Sequence, residues 1–272
     1  MEGNAQPAPQ PASQPAQTTY APPPPPPQSG TNTALIIAVA VIVVVVVVLA
    51  ALVFVFLLDT VQNGNGLYTE EVDEHYAAIP GLELEVMTVN GDIDIVTYDG
   101  DQILLEGIKR ADRSQDLDLM ELVVTQNGDS LELKVEHTED LSNLIGDSFD
   151  LSLRVPEYII LEKVRAVNGD IHVQSTDEVV EVETTNGAIR VDMRSIGSNL
   201  NIDSTNGQVD VFIDPDLEVT IDISTVNGVI SFSGISLDLS DDTDHYVRGD
   251  LNAGGYEIYV ETTNGNVNVH QL

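Results

Sequence analysis

The chain has 272 residues, no cysteine, and 45 acidic against 10 basic residues, a formal net charge of −35. That charge repels nucleic acid and anionic lipid headgroups, which excludes binding modes that rest on a basic surface. Without cysteine there can be no disulfide, thiolate catalysis or Cys-based metal site.

In chain order, residues 1–33 are rich in Pro, Gln and Ala and include the run Pro22–Pro27. They hold almost nothing apolar to bury, so a disordered or polyproline II tail is expected, with docking to a proline-reading domain as the alternative. Residues 34–58 are uncharged and apolar. Twenty-five residues at about 1.5 Å each reach about 37 Å, enough for one transmembrane helix. Val41–Val48 is β-branched, but in lipid a helix satisfies its own backbone. A cleaved signal peptide fits poorly: the run is long, no positive charge precedes it, and no clear small-residue cleavage site follows. The expectation is a single-pass protein of the cell membrane. No Lys or Arg precedes Lys109, so charge does not orient it. The arrangement usual for a signal anchor puts the C-terminal domain outside the cytoplasm. Residues 59–79 are expected to be a linker, and residues 80–272 a β-strand-repeat domain. Everything after residue 58 carries 44 of the 45 acids, since only Glu2 lies before it.

The repeat domain is marked by Asn-Gly in one fixed context. The pairs are Asn90-Gly91, Asn168-Gly169, Asn186-Gly187, Asn206-Gly207, Asn227-Gly228 and Asn264-Gly265, each preceded by Thr, Ala or Ser two residues before the Asn and followed by alternating apolar residues. Asn127-Gly128 is a looser seventh. Spacings between successive asparagines are 37, 41, 18, 20, 21 and 37. The long gaps are near twice the short ones, which suggests a period of about 20 residues with some rungs lacking the dipeptide.

Around Asn186 the apolar residues are Val180 and Val182 before the pair, and Ile189, Val191 and Met193 after it. The period of two predicts strands, and the parity switch across the pair puts Thr184 opposite Ile189, Val182 opposite Val191 and Val180 opposite Met193 on one face. Asn-Gly suits such a turn because both residues tolerate positive φ. An antiparallel array of hairpins is one solution. An all-β solenoid, with stacked parallel rungs and asparagine ladders at about 4.8 Å, is the other; the regular spacing favours it.

The Thr-x-Asn-Gly-x-[Ile/Val]-x-[Val/Ile] segments, with Asp101–Gly107, Leu151–Pro156 and Val247–Gly255, resemble the membrane-anchored β-strand-repeat families known as putative adhesins, including envelope proteins with a domain of unknown function and head-domain adhesin-like proteins. The resemblance covers about Leu82–Leu272. It implies a β-solenoid or β-helix-like domain displayed at a membrane or cell surface.

Stacking predicts side-chain columns. Asp94, His172, Arg190, Asp210, Ser231 and Asn268 would form one, a candidate site or an ordinary ladder of surface pairs. Lys163 would meet Glu181, and Arg165 would meet Glu183. The five histidines make no zinc-ligand spacing. Asp238, Asp241, Asp242 and Asp244 are candidate calcium ligands, although the segment lacks the EF-hand Gly and Glu and also reads as a solvated acidic loop. Arg248-Gly249-Asp250 is expected to be a turn. No catalytic residue and no cofactor other than possible calcium is assigned. The function expected is non-catalytic: adhesion or envelope interaction with an unknown protein or glycan partner, with a homo-oligomer as one option. An envelope-stress sensor is the alternative, and a carbohydrate-active β-helix enzyme a third.

Overall fold

The computed structural model describes residues 67–138, 146–174 and 178–272. The expected tail and the apolar segment 34–58 lie outside the described residues. Among the described residues no helix is long and apolar enough to cross a membrane.

Each Asn-Gly pair joins a strand of one sheet to a strand of the other. Five of the rungs, each named by its Asn, are β2 (Glu83–Asn90) with β3 (Ile93–Tyr98), β8 (Ile160–Asn168) with β9 (Ile171–Gln174), β10 (Glu178–Asn186) with β11 (Ile189–Met193), β12 (Leu200–Asn206) with β13 (Val209–Ile213), and β14 (Val219–Asn227) with β15 (Ile230–Ser233). A sixth is β18 (Tyr256–Asn264) with β19 (Val267–Gln271). Rung on rung, the strands pair in parallel with like residues aligned, as in Val164, Val182 and Ile202 or Ile171, Ile189 and Val209. The two strands of a rung lie in different sheets, so the solenoid reading holds and the hairpin array does not. Apolar residues still converge on one core, as parity requires, but from two facing sheets.

Further strands close the stack, the outermost of them antiparallel. At one end these are β1 (Tyr68–Ala77), β4 (Gln102–Ala111), β5 (Met120–Asn127), β6 (Ser130–His137) and β7 (Ser148–Pro156), with a one-turn helix α1 (Ser114–Leu117). At the other they are β16 (Asp238–Asp242) and β17 (Tyr246–Leu251). The sheet orders are β1-β4-β7-β3-β9-β11-β13-β19-β15 and β16-β17-β14-β18-β12-β10-β8-β2-β6-β5. β1 pairs with β4 along its full length, so the stretch read as a linker contains an edge strand.

The stacking order of the asparagines is 90, 168, 186, 206, 264, 227. The last rung in sequence is therefore inserted inside the stack, between β12/β13 and β14/β15. The gap from Asn127 to Asn168 holds a rung without the dipeptide, since β6 and β7 pair in parallel with β2 and β3 and the Phe149 carbonyl lies where a Cβ on Gly91 would be; the other long gaps are excursions that build the ends of the stack and add no rung. Asn127-Gly128 is no rung either: β5 and β6 form an antiparallel hairpin, with Asn127 paired to Ser130 and Gly128 at φ 61.

Ile93, Ile171, Ile189, Val209 and Val267 stack on one wall of the core, each at most 1% exposed, and Val86, Val164, Val182, Ile202, Val260 and Ile223 stand opposite at 0%. Burying each such side chain is worth about 1.5–3 kcal/mol. One core expectation changes. Against β2, β8 carries an extra residue at Glu162, and β10 repeats the irregularity at Val180. This bulge shifts parity, so Val179 is buried (7% exposed) and Val180 is not.

Candidate interaction faces

The corners form a continuous ladder. Asn168 Nδ2 donates to Asn90 Oδ1 at 2.7 Å, Asn186 to Asn168 at 2.8 Å, Asn206 to Asn186 at 2.9 Å, Asn264 to Asn206 at 2.8 Å and Asn227 to Asn264 at 2.9 Å. Each amide thus completes the next, which fixes the register of the stack. The hydroxyl two residues before the Asn adds a second row. Thr184, Ser204, Thr262 and Thr225 donate to the carbonyls of Gly169, Gly187, Gly207 and Gly265 at 3.0–3.4 Å. Ala166 holds this place in the Asn168 rung.

The glycines are needed for a reason the sequence reading missed. Of the corner residues only Gly91 has positive φ, and none of the asparagines does. The need is for space. A Cβ on Gly169, Gly187, Gly207, Gly228 or Gly265 would lie 1.7–2.0 Å from the carbonyl oxygen of a glycine in an adjacent rung.

The outer face of the nine-stranded sheet carries the column expected from stacking. Asp94, His172, Arg190, Asp210, Asn268 and Ser231 follow one another in that order. His172 Nδ1 lies 2.8 Å from Asp94 Oδ1 and its Nε2 3.7 Å from Asp192 Oδ2. Arg190 Nε is 3.0 Å from Asp192 Oδ1, and its guanidinium lies 3.9 Å from the centre of the Phe212 ring. Phe212 stacks on His270 at 4.6 Å. Asn268 donates to Asp210 at 2.8 Å, and Ser231 to Asn268 at 2.7 Å. The neighbours Asp192, Phe212 and His270 come from the adjacent column, which the sequence reading did not single out; their recurrence at a two-residue offset was the available signal. These groups contact one another within and across rungs.

The ten-stranded sheet has an acidic outer face. Lys163 Nζ meets Glu181 Oε1 at 3.0 Å and Arg165 meets Glu183 at 3.4 Å, the two pairs expected from register. Beyond them, Glu183, Asp203 and Glu261 stack in consecutive strands. Burial, and then the charges of Glu261, Glu183 and Glu181, raise the pKa of Asp203. Asn201 Nδ2 donates to Asp203 at 3.0 Å, and the Tyr259 hydroxyl to Glu261 at 2.7 Å.

The segment expected as an acidic loop or calcium site is largely strand. Asp238, Asp241 and Asp242 lie on β16, with a bulge between Leu239 and Asp241, and Asp244 lies just beyond it. The bulge leaves Asp238 and Asp241 on one face of the strand, in register with Asp250 and Arg248, and Asp242 on the other. No group of three or more metal-ligating residues placed to hold an ion occurs among the described residues. Arg248-Gly249-Asp250 lies within β17 and is not a turn. Arg248 pairs with Asp222 and, at 2.6 Å, with Glu257.

Residues 83–270 match the family described as Toastrack DUF4097. The fold is similar to that of a "putative cell adhesion protein" from Clostridium sporogenes, at 15% identity and TM-score 0.56, covering 75% of this chain and 100% of that one. A "putative adhesin" from Bacteroides fragilis also matches, at 11% identity and TM-score 0.32, covering 74% and 97%. So does a "putative lipid binding protein" from Parabacteroides distasonis, at 12% identity and TM-score 0.30, covering 60% and 70%. No curated protein matches.

Proposed function

We propose that this chain, which belongs to the Toastrack DUF4097 family, is a non-catalytic, membrane-anchored surface protein whose β-repeat domain serves adhesion or envelope interaction. The observation that carries this reading is the six-member asparagine ladder, which locks the rungs in register and holds two outer faces of aligned side chains. Recognition of a repeating or extended partner needs such a face, fixed before the partner arrives. The apolar segment 34–58 supports anchoring through its length and composition. The likeness to the Clostridium sporogenes protein is one of fold, and its description accords with the reading.

The test is surface display in a non-adherent host. Cells carrying the full chain should gain attachment to a glycan- or protein-coated surface. Deleting residues 1–33 should leave attachment intact, and breaking the ladder should abolish it. Attachment that depends on the deleted tail, or none on any coating, sinks the reading.

A further inference from the structure

The dipeptide that builds the corners is also chemically labile. The backbone nitrogen that follows an asparagine can attack the side-chain Cγ, and glycine puts no side chain in the way. The attack has two structural requirements. The asparagine side chain must turn toward the following amide, and that amide must give up its proton. Hydrogen bonds at Nδ2 and Oδ1 oppose the first, and a hydrogen bond donated by the amide opposes the second.

The stack supplies these three restraints unevenly. Asn168, Asn186 and Asn206 each donate through Nδ2 and accept at Oδ1. The amides of Gly169, Gly187 and Gly207 donate to the carbonyls of Asn186, Asn206 and Asn264 at 3.0–3.1 Å. Those pairs are held in all three ways. Asn90 accepts from Asn168, and the Gly91 amide donates to the Asn168 carbonyl at 3.0 Å. Asn264 donates to Asn206 and accepts from Asn227. Both have two restraints. Asn227 has one, its Nδ2 bond to Asn264 at 2.9 Å. Its rung is the outermost, with β15 at the edge of its sheet. Among the described residues nothing donates to Asn227 Oδ1, and the Gly228 amide has no acceptor. Asn127-Gly128, outside the ladder, has none of the three among the described residues.

Exposure does not separate these pairs. Asn168, Asn186, Asn206 and Asn264 are exposed, as Asn227 is. The bonds therefore decide which pair reacts.

We propose that Asn227-Gly228 is a site of spontaneous deamidation, and that the ladder shields the other five pairs of the stack. The Gly228 nitrogen loses its proton to water and bonds to Asn227 Cγ. The Cγ–Nδ2 bond breaks and ammonia leaves. Water then opens the succinimide ring at either carbonyl, giving aspartate or isoaspartate; nothing is oxidised or reduced. Neither product has an Nδ2 to donate to Asn264 Oδ1, so the outermost ladder bond is lost. A carboxylate is also added to a chain already at −35. The outermost rung then keeps only its strand pairings with β18 and β19 and the Thr225 hydroxyl bond to Gly265. The site is a slow chemical timer that loosens one end of the stack with age.

The test ages the full-length chain in detergent at mildly alkaline pH and follows each pair by peptide mapping with mass spectrometry. Val precedes Asn90, Asn168 and Asn227 alike, so these three compare like sequences. Asn227 should convert at least about tenfold faster than Asn168, because it lacks two of the three restraints. Asn90 should fall between them. In urea the three should convert at similar rates. Conversion of Asn227 no faster than Asn168 in the folded chain overturns the proposal. So does the same ranking in urea, which would trace the difference to sequence. Asn227→Asp makes one product directly. It should speed hydrogen exchange at Val267, whose amide donates to the Val229 carbonyl at 3.0 Å, and leave Ile189 unchanged. Unchanged exchange at Val267 overturns the loosening of the rung.

Discussion

The carbonyl oxygen of Gly169 stands 2.0 Å from where a Cβ on Gly187 would lie. No side chain fits at that distance, and the clash is with backbone, which cannot rotate away. The same relation links Gly207 to Gly187 at 1.7 Å and Gly265 to Gly207 at 1.8 Å. The glycine of each corner is thus set by its neighbour in the stack, and its absence of a side chain is what lets the asparagine ladder close.

Gly187→Ala should therefore destabilise the domain by about 3 kcal/mol or more. Gly128, in the β5–β6 hairpin, has open space around it but φ 61. Gly128→Ala should cost about 1 kcal/mol, from backbone strain alone. Urea denaturation of the two variants checks the ranking; a larger loss at Gly128 would contradict the packing account.

Asn206 both donates to Asn186 and accepts from Asn264, whereas Asn90 only accepts within the ladder. Asn206→Ala should cost about 1–3 kcal/mol, and Asn90→Ala about half as much. Equal losses, measured by thermal melting at one pH, would mean the ladder is not cooperative along its length.

Ala166 interrupts the hydroxyl row in a column shared with Thr88 and Thr184. A hydroxyl there would face the Gly91 carbonyl, as that of Thr184 faces Gly169. Ala166→Thr should stabilise the domain by about 1 kcal/mol, the net worth of one hydrogen bond. A rise in denaturation midpoint with unchanged slope is the expected result.

Asp203 has its pKa raised above 3.8 by burial, and then by Glu261, Glu183 and Glu181. The folded state therefore binds this proton more readily than the unfolded state, and ionising Asp203 costs stability at neutral pH. That cost is present above the folded pKa and disappears below the unfolded one. Asp203→Asn should raise the melting temperature at pH 7, with the gain shrinking as pH falls through the raised pKa. A gain independent of pH would point to packing instead.

The period, the parity and the pairing of Lys163 with Glu181 were legible in the sequence, because stacking transmits one register to every rung. The mechanism at the corners was not. Asn-Gly is also the signature of a two-residue hairpin, and the one hairpin at such a pair, β5–β6, turns through Gly128-Asp129 instead, with Asn127 paired to Ser130. What separates the two is contact between rungs distant in sequence, such as Asn90 with Asn168. The bulge at Val180 hid for a similar reason: it matches an irregularity at Glu162 in the neighbouring strand. The outer-face cluster was half visible, since Arg190 and His172 fell in one column while Asp192, Phe212 and His270 came from the next. Asp238–Asp242 reads as a loop by composition, yet is a strand because β17 offers it an edge.

The insertion of β18 and β19 between earlier rungs has a consequence for how the protein is made. The Asn227 rung leaves the ribosome before its inner neighbour exists, and cannot take its place in the stack until residues 256–271 follow. In an ordinary solenoid each repeat contacts only its neighbours in sequence; this stack closes only with β18 and β19 in place. A chain ending at residue 255 should leave β14 and β15 without their inner neighbours and unfold that end, seen as protease cleavage between residues 214 and 255. The β18–β19 segment, made after both of its neighbours, thereby acts as a completeness check on the stack.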